Sequence, residues 1–195
     1  YDGTIPVRVI AVHRSALDVL GPDFSGRITL TGGSDREEDR ATVGDWIAID
    51  PGTQRIAALY PRKSLFKRRN AGKTNRVQLI AANVDTVFIV TSANMDFNVA
   101  RLERYLALAN EAGVLPVVII TKADLVDDLE PFIEAARAIR EDLLIEAIDS
   151  HNPQDMSRLA PWLAKGQTVA LMGSSGVGKS TIINSLLQTA VQETQ

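Results

Sequence analysis

The most chemically specific residues of this chain are Gly173-Ser174-Ser175-Gly176-Val177-Gly178-Lys179-Ser180, which fit the pattern G-x-x-x-x-G-K-[ST]. A loop of this kind wraps a phosphate with backbone N–H groups, and side chains at Gly173 and Gly178 would obstruct that approach. The apolar run TVALM before it reads as a strand, and TIINSLLQTA after it reads as a helix whose positive end adds to the anion site. Gly173, Ser174, Ser175, Gly176, Val177, Gly178, Lys179, Ser180 and Thr181 are therefore expected to hold a nucleotide's phosphates. Lys179 would face the β and γ phosphates, and the Ser180 hydroxyl would coordinate Mg²⁺; these two are the candidate catalytic residues. The plain alternative is a Gly/Ser-rich turn before an ordinary helix. The loop alone does not choose the base, because ATPases and kinases use the same pattern.

A second constellation bears on that choice. Thr121-Lys122-Ala123-Asp124 ends the apolar run VLPVVII and so belongs on the same edge of a parallel sheet as the phosphate loop. It resembles the N/T-K-x-D guanine-specificity motif of GTPases, in which the carboxylate accepts from guanine N1 and N2 and the lysine stem packs over the base. Thr121, Lys122 and Asp124 thus join the nucleotide-binding set, and the ligand expected is GTP or GDP. The competing reading makes Asp124 a helix N-cap. Thr121 stands where most GTPases have Asn, which predicts weaker contacts to base and phosphate loop and lower affinity.

Buried apolar runs alternate with amphipathic stretches from about residue 80 onward: VDTVFIVTS, a helix over Val99 to Ala112, VLPVVIIT, a helix from Pro131 to Arg140, LLIEAI, a helix from Pro153 to Ala164, and TVALMG. That is βαβ patterning and predicts an α/β P-loop domain over 80–195. Residues 1–62 instead show short β-rich runs, IPVRVIAV, GRITL, TVGDWIAI and QRIAALY, broken at Gly21-Pro22, Gly32-Gly33 and Pro51-Gly52. A small all-β barrel is expected there. Between them, 63–79 reads as a basic linker. Counted from Pro61 to Gln78, the stretch carries Arg62, Lys63, Lys67, Arg68, Arg69, Lys73 and Arg76 and no carboxylate. These seven are candidate RNA phosphate contacts, against the alternative of a solvated linker.

The formal net charge of −3 hides an uneven distribution, with the basic residues gathered in the first 80 positions and the acidic ones beyond. Cysteine is absent, which excludes disulfides and thiolate metal sites. No apolar stretch is long enough to span a bilayer, so a monomeric cytoplasmic protein without a membrane partner is expected. Tyr1 is not an initiator residue, which predicts preceding sequence. His13 and His151 lack neighbouring ligands at metal spacing and are read as neither metal ligand nor base.

Asp124 precedes Gly173 by 49 residues, the reverse of the usual GTPase order. In this inverted order the segments VGDWIAID, PRKSLFKRR, AANVDTVFIVTSAN, TKADL and LMGSSGVGKSTIINSLL resemble the circularly permuted GTPases that depend on the small ribosomal subunit, across nearly the whole chain. The resemblance implies an oligonucleotide-binding (OB) barrel before a permuted GTPase domain, and an assembly factor that binds small-subunit rRNA and hydrolyses GTP. It also implies switch loops and a zinc-binding Cys/His module beyond Gln195, so that this chain would bind nucleotide but turn it over poorly. Ser150 is the weak counterpart of the family's base-proximal Ser-Ala motif. A different class of function, a non-catalytic RNA-binding module that responds to nucleotide, fits the same residues.

Overall fold

A computed structural model describes residues 3–30, 40–69 and 77–193. Lys73, Arg76 and the Gly32-Gly33 turn lie outside them. The chain divides into two compact units, Tyr1–Val84 and Asp85–Gln195.

In the first unit, β1 (Ile5–Val12), β2 (Ala16–Leu20), β3 (Ser25–Thr29), β4 (Trp46–Ile49) and β5 (Ile56–Leu59) form an antiparallel sheet in the order β3-β2-β1-β4-β5. Alternation along the strands sends Val7, Val9, Leu17, Val19, Ile28, Ile47 and Ile49 into one apolar cluster. The result is the OB-like all-β fold expected. His13 sits on its surface, with Nε2 2.9 Å from Asp18 Oδ2.

The stretch read as a linker, 63–79, contains one strand and the start of another. β6 (Leu65–Arg69) and β7 (Val77–Ala82) pair antiparallel, and both belong to the first unit. Arg62, expected to meet RNA, is instead committed internally. Its guanidinium donates through Nε to Asp45 Oδ1 and through Nη2 to Asp45 Oδ2, both at 2.8 Å, and also to the Arg40 carbonyl. Asp45 is fully buried and Arg62 nearly so, which makes this a bidentate pair inside the unit rather than a phosphate contact.

The second unit is a parallel sheet in the order β10-β9-β8-β11, built from β8 (Thr86–Ser92), β9 (Leu115–Thr121), β10 (Leu144–Ala147) and β11 (Val169–Met172). The central strands β8 and β9 are buried along almost their whole length, as a sheet covered on both faces requires. α1 (Val99–Ala112) is capped by Asn98, whose side chain accepts from the Arg101 N–H, and it ends at Gly113 in the left-handed region. α2 runs Glu130–Arg137 and α4 Lys179–Glu193. The helix expected over Pro153 to Ala164 divides into a short α3 (Pro153–Ser157) and a separate 3₁₀ turn at Ala160–Trp162.

Chain order runs outward from β8 to β10 and then returns to place β11 on the other side of β8. The direction of winding reverses between β8 and β11, which opens a crevice at the C-terminal ends of the strands. The phosphate loop follows β11 into it.

Replacing Arg62 with methionine strands the Asp45 carboxylate in the interior. The expected outcome is a loss of about 3 kcal/mol in urea unfolding of the first unit, far beyond what removal of a solvated RNA-facing arginine would cause.

Candidate functional site

The loops after β9, β10 and β11 meet around a cleft of about 560 Å³. Nine of the expected nucleotide-binding residues line it: Thr121, Lys122, Asp124, Ser175, Gly176, Gly178, Lys179, Ser180 and Thr181. Gly173, Ser174 and Val177 do not. Val177 is buried and packs in the apolar core with Phe88, Val90, Ile119 and Ile182, so the loop is pinned at its centre by an ordinary hydrophobic contact.

Glycine at 173 answers a different need from the one the sequence suggests. A Cβ there would lie 2.3 Å from the Val90 carbonyl oxygen of β8, so the neighbouring strand excludes any side chain. Gly178 takes φ +96, a conformation that side chains rarely adopt, and a Cβ there would come into contact with the Thr121 side chain.

Thr121 ties the two motifs together. Its hydroxyl lies 2.7 Å from the Val177 carbonyl and 3.0 Å from the Thr91 carbonyl, and it has one proton to give. The shorter contact joins β9 directly to the phosphate loop, so the link to that loop is kept with threonine at this position. Lys122 follows at φ +59 and turns the chain into a 3₁₀ turn, Ala123–Leu125. Asp124 lies within that turn, exposed on the cleft wall. It caps no helix: α2 begins six residues later, and there the Asp128 side chain accepts from the Glu130 N–H at 3.0 Å. The N-cap reading of Asp124 is therefore overturned.

On the phosphate side, the Lys179 ammonium donates to the carbonyls of Gly173, at 2.9 Å, and Ser174. Ser180 is exposed at the cleft, at the start of α4. The donor set suits an anion: loop amides, an ammonium and a helix N-terminus converge on one space. Among the described residues no cluster of three or more His, Cys, Asp or Glu side chains could hold a metal. Mg²⁺ would instead be held by Ser180 with phosphate oxygens and water, the arrangement this hard cation ordinarily takes.

The β10 loop supplies further lining residues, among them Ser150, which the family resemblance had marked, and His151, which was read as neither metal ligand nor base. Asp149, Ser150 and His151 line the cleft with Leu125. The Ser150 carbonyl accepts from Ser185 of α4 at 2.7 Å, while its own hydroxyl is buried without a partner among the described residues. A buried polar atom without a partner calls for one, and Ser150 lines the cleft where a ligand would supply it.

Residues 59–195 match the profile of the RsgA GTPase. The chain belongs to the RsgA GTPase family. It is 46% identical over 191 residues, 98% of its length, to the small ribosomal subunit biogenesis GTPase RsgA of Mesorhizobium japonicum, of which it covers 54%. It is likewise 46% identical over 194 residues to RsgA 2 of Vibrio parahaemolyticus, spanning the whole chain and 53% of that protein. The chain thus spans about half the length of the curated relatives it matches. In fold it is similar to the crystal structure of YjeQ from Thermotoga maritima, with a TM-score of 0.70 at 24% identity over 94% of this chain and 65% of that one. It is similar also to YloQ, described as a circularly permuted GTPase, with a TM-score of 0.66 at 23% identity over 96% of this chain and 66% of that one. The inverted order of motifs in this RsgA-family chain is the permutation that fold carries.

His151 and Leu125 gave no signal in the sequence because each faces the cleft only through the path of its loop. Ser150 was visible only by resemblance. The geometry at Thr121 makes a specific claim. Thr121→Val keeps the shape but removes the proton given to the Val177 carbonyl, and is expected to weaken binding of a fluorescent GDP analogue by about tenfold. The unfolding midpoint of the nucleotide-free protein should fall as well, because the buried contact is already made before nucleotide binds.

Proposed function

We propose that this chain forms the guanine-nucleotide-binding part of a GTPase that acts in assembly of the small ribosomal subunit. The observation that carries the reading is that residues 121–124 and the phosphate loop, joined through Thr121, line one cleft. Phosphates would lie against the amides of Ser175 to Thr181 with Lys179 at the β and γ positions, and the base would lie toward Asp124 and Ser150. Guanine presents two adjacent N–H donors to a carboxylate and adenine does not, so Asp124 would set the base preference. The exposed turn leaves the carboxylate hydrated until a base arrives. Mg²⁺ bound beside Ser180 would neutralise developing charge between the β and γ phosphates. Lys179 would stabilise charge on the same oxygens, so that the chain's part in hydrolysis is mainly positioning and electrostatics.

Both curated relatives described above are named small ribosomal subunit biogenesis GTPases, and this supports the subunit as the partner. The OB-like unit with its basic hairpin would meet rRNA, through Lys63 and Arg68, which are exposed, rather than Arg62. Assembly of the small subunit would place the protein in the cytoplasm; among the described residues no helix is long and apolar enough to cross a membrane. We read the protein as a monomer.

Two substitutions test the site. Lys179→Ala should abolish detectable GTP binding, since it removes the cation that faces the β and γ charge. Asp124→Asn should lower the preference for GTP over ATP by at least about a hundredfold in competition titrations, because the amide presents a donor to the guanine donors. An unchanged GTP-to-ATP ratio would remove Asp124 from base recognition. Phosphate release stimulated by small subunits would support the enzyme, and nucleotide binding without release would support a nucleotide-responsive RNA-binding module.

A further inference from the structure

The Thr121 hydroxyl secures the second half of the phosphate loop, at Val177. The first half is secured from another element. Ser174 and Ser175 are adjacent but diverge: Ser175 is exposed and lines the cleft, whereas Ser174 is half-buried and bounds a crevice of only about 10 Å³ behind the loop. There Arg101 of α1 donates from its guanidinium Nη1 to Ser174 Oγ at 2.7 Å, across 73 residues of sequence. Arg101 is itself fixed at its base, because its backbone N–H is the one that Asn98 caps, at 2.9 Å. The arginine stem therefore leaves α1 from a rigid first turn. The crevice is too small for any ligand larger than a single water, so Arg101 does not read a second molecule there.

Ser174 is held from both sides, with Arg101 on its hydroxyl and the Lys179 ammonium on its carbonyl. A phosphate entering the loop competes for Lys179. As that ammonium turns to the phosphate, the Gly173 and Ser174 carbonyls lose their donor, and the Arg101 contact remains as a tie on the first half of the loop. Gly173, Gly176 and Gly178 all take positive φ, so the loop has much backbone freedom to lose on binding. A side chain that holds it in its converged shape beforehand reduces that cost.

We propose that Arg101 is a positioning residue for nucleotide binding, acting through Ser174 to hold the phosphate loop against α1 in the shape that receives phosphate. The inference rests on the nucleotide reading above and adds α1 to the binding unit. Because the Arg101 contact is to the loop at Ser174, it would support diphosphate and triphosphate alike.

The test is a double-mutant cycle read with fluorescent GDP and GTP analogues on the wild-type protein, Arg101→Met, Ser174→Ala and the double variant, with thermal unfolding of each nucleotide-free protein alongside. Each single change should weaken both nucleotides by about tenfold, and the double variant should be no weaker than either single one. Arg101→Lys, which keeps a donor on a flexible stem, should recover most of the loss. A purely structural arginine would lower the unfolding temperature without coupling to Ser174 in nucleotide affinity. Wild-type affinity in both single variants, or losses that multiply in the double variant, would overturn the inference. If Lys179→Ala still abolishes binding in that case, the nucleotide reading survives. A wild-type protein that binds neither nucleotide would overturn both.

Discussion

One hydroxyl proton, on Thr121, joins segments 56 residues apart in sequence, and the composition of the cleft depends on that contact. The base-reading turn leaves β9 immediately after Thr121, and the phosphate loop carries the carbonyl that Thr121 holds. Neither loop has much internal stiffness: one turns at a left-handed lysine and the other at three positive-φ glycines. Each is rigid because of what it touches. The phosphate loop is held through Val177 in the core, by Thr121 at the end of β9 and by Arg101 in the first turn of α1.

This explains how a site survives inversion of its motif order. The four parallel strands present all their C-terminal ends on one edge, so each loop is delivered by its own strand whatever the order of connection. β11 lies beside β8 and not beside β9, yet the Val90 carbonyl of β8 abuts Gly173 closely enough to exclude a side chain. Positions are set by neighbours in the sheet. Chain order affects only which loops cross the surface.

The parts of the fold most legible in the sequence were those whose physics is local or periodic. The phosphate loop was readable because glycine, lysine and serine at fixed spacing have few other uses, and β8 and β9 because continuous apolar runs suit strands covered on both faces. Contacts between distant residues were not readable. Arg62 looked like a phosphate ligand because charge alone was visible; its partner Asp45 is 17 residues away, and that carboxylate is fully buried. β6 and the start of β7 looked like a linker because their pairing rests on backbone ladders and, among the described residues, on only two well-buried side chains, Phe66 and Ala82, which leaves little hydrophobic pattern. For Asp124 the sequence favoured base recognition but left a helix N-cap as the competing reading, and the start of α2 at Glu130 removes it. The tie between Arg101 and Ser174 left no trace at all, since neither residue type is diagnostic and only the packing of α1 brings them together.

A crystal structure of the protein with GDP and Mg²⁺ measures the central claim most directly. The account predicts phosphates enclosed by Gly173 to Ser180, the Lys179 ammonium moved from the loop carbonyls onto phosphate oxygen, and the guanine edge within hydrogen-bonding distance of the Asp124 carboxylate, with the Thr121 contact to Val177 unbroken. A base lying away from Asp124 while phosphates fill the loop, or a loop that closes only after leaving Thr121, would contradict it.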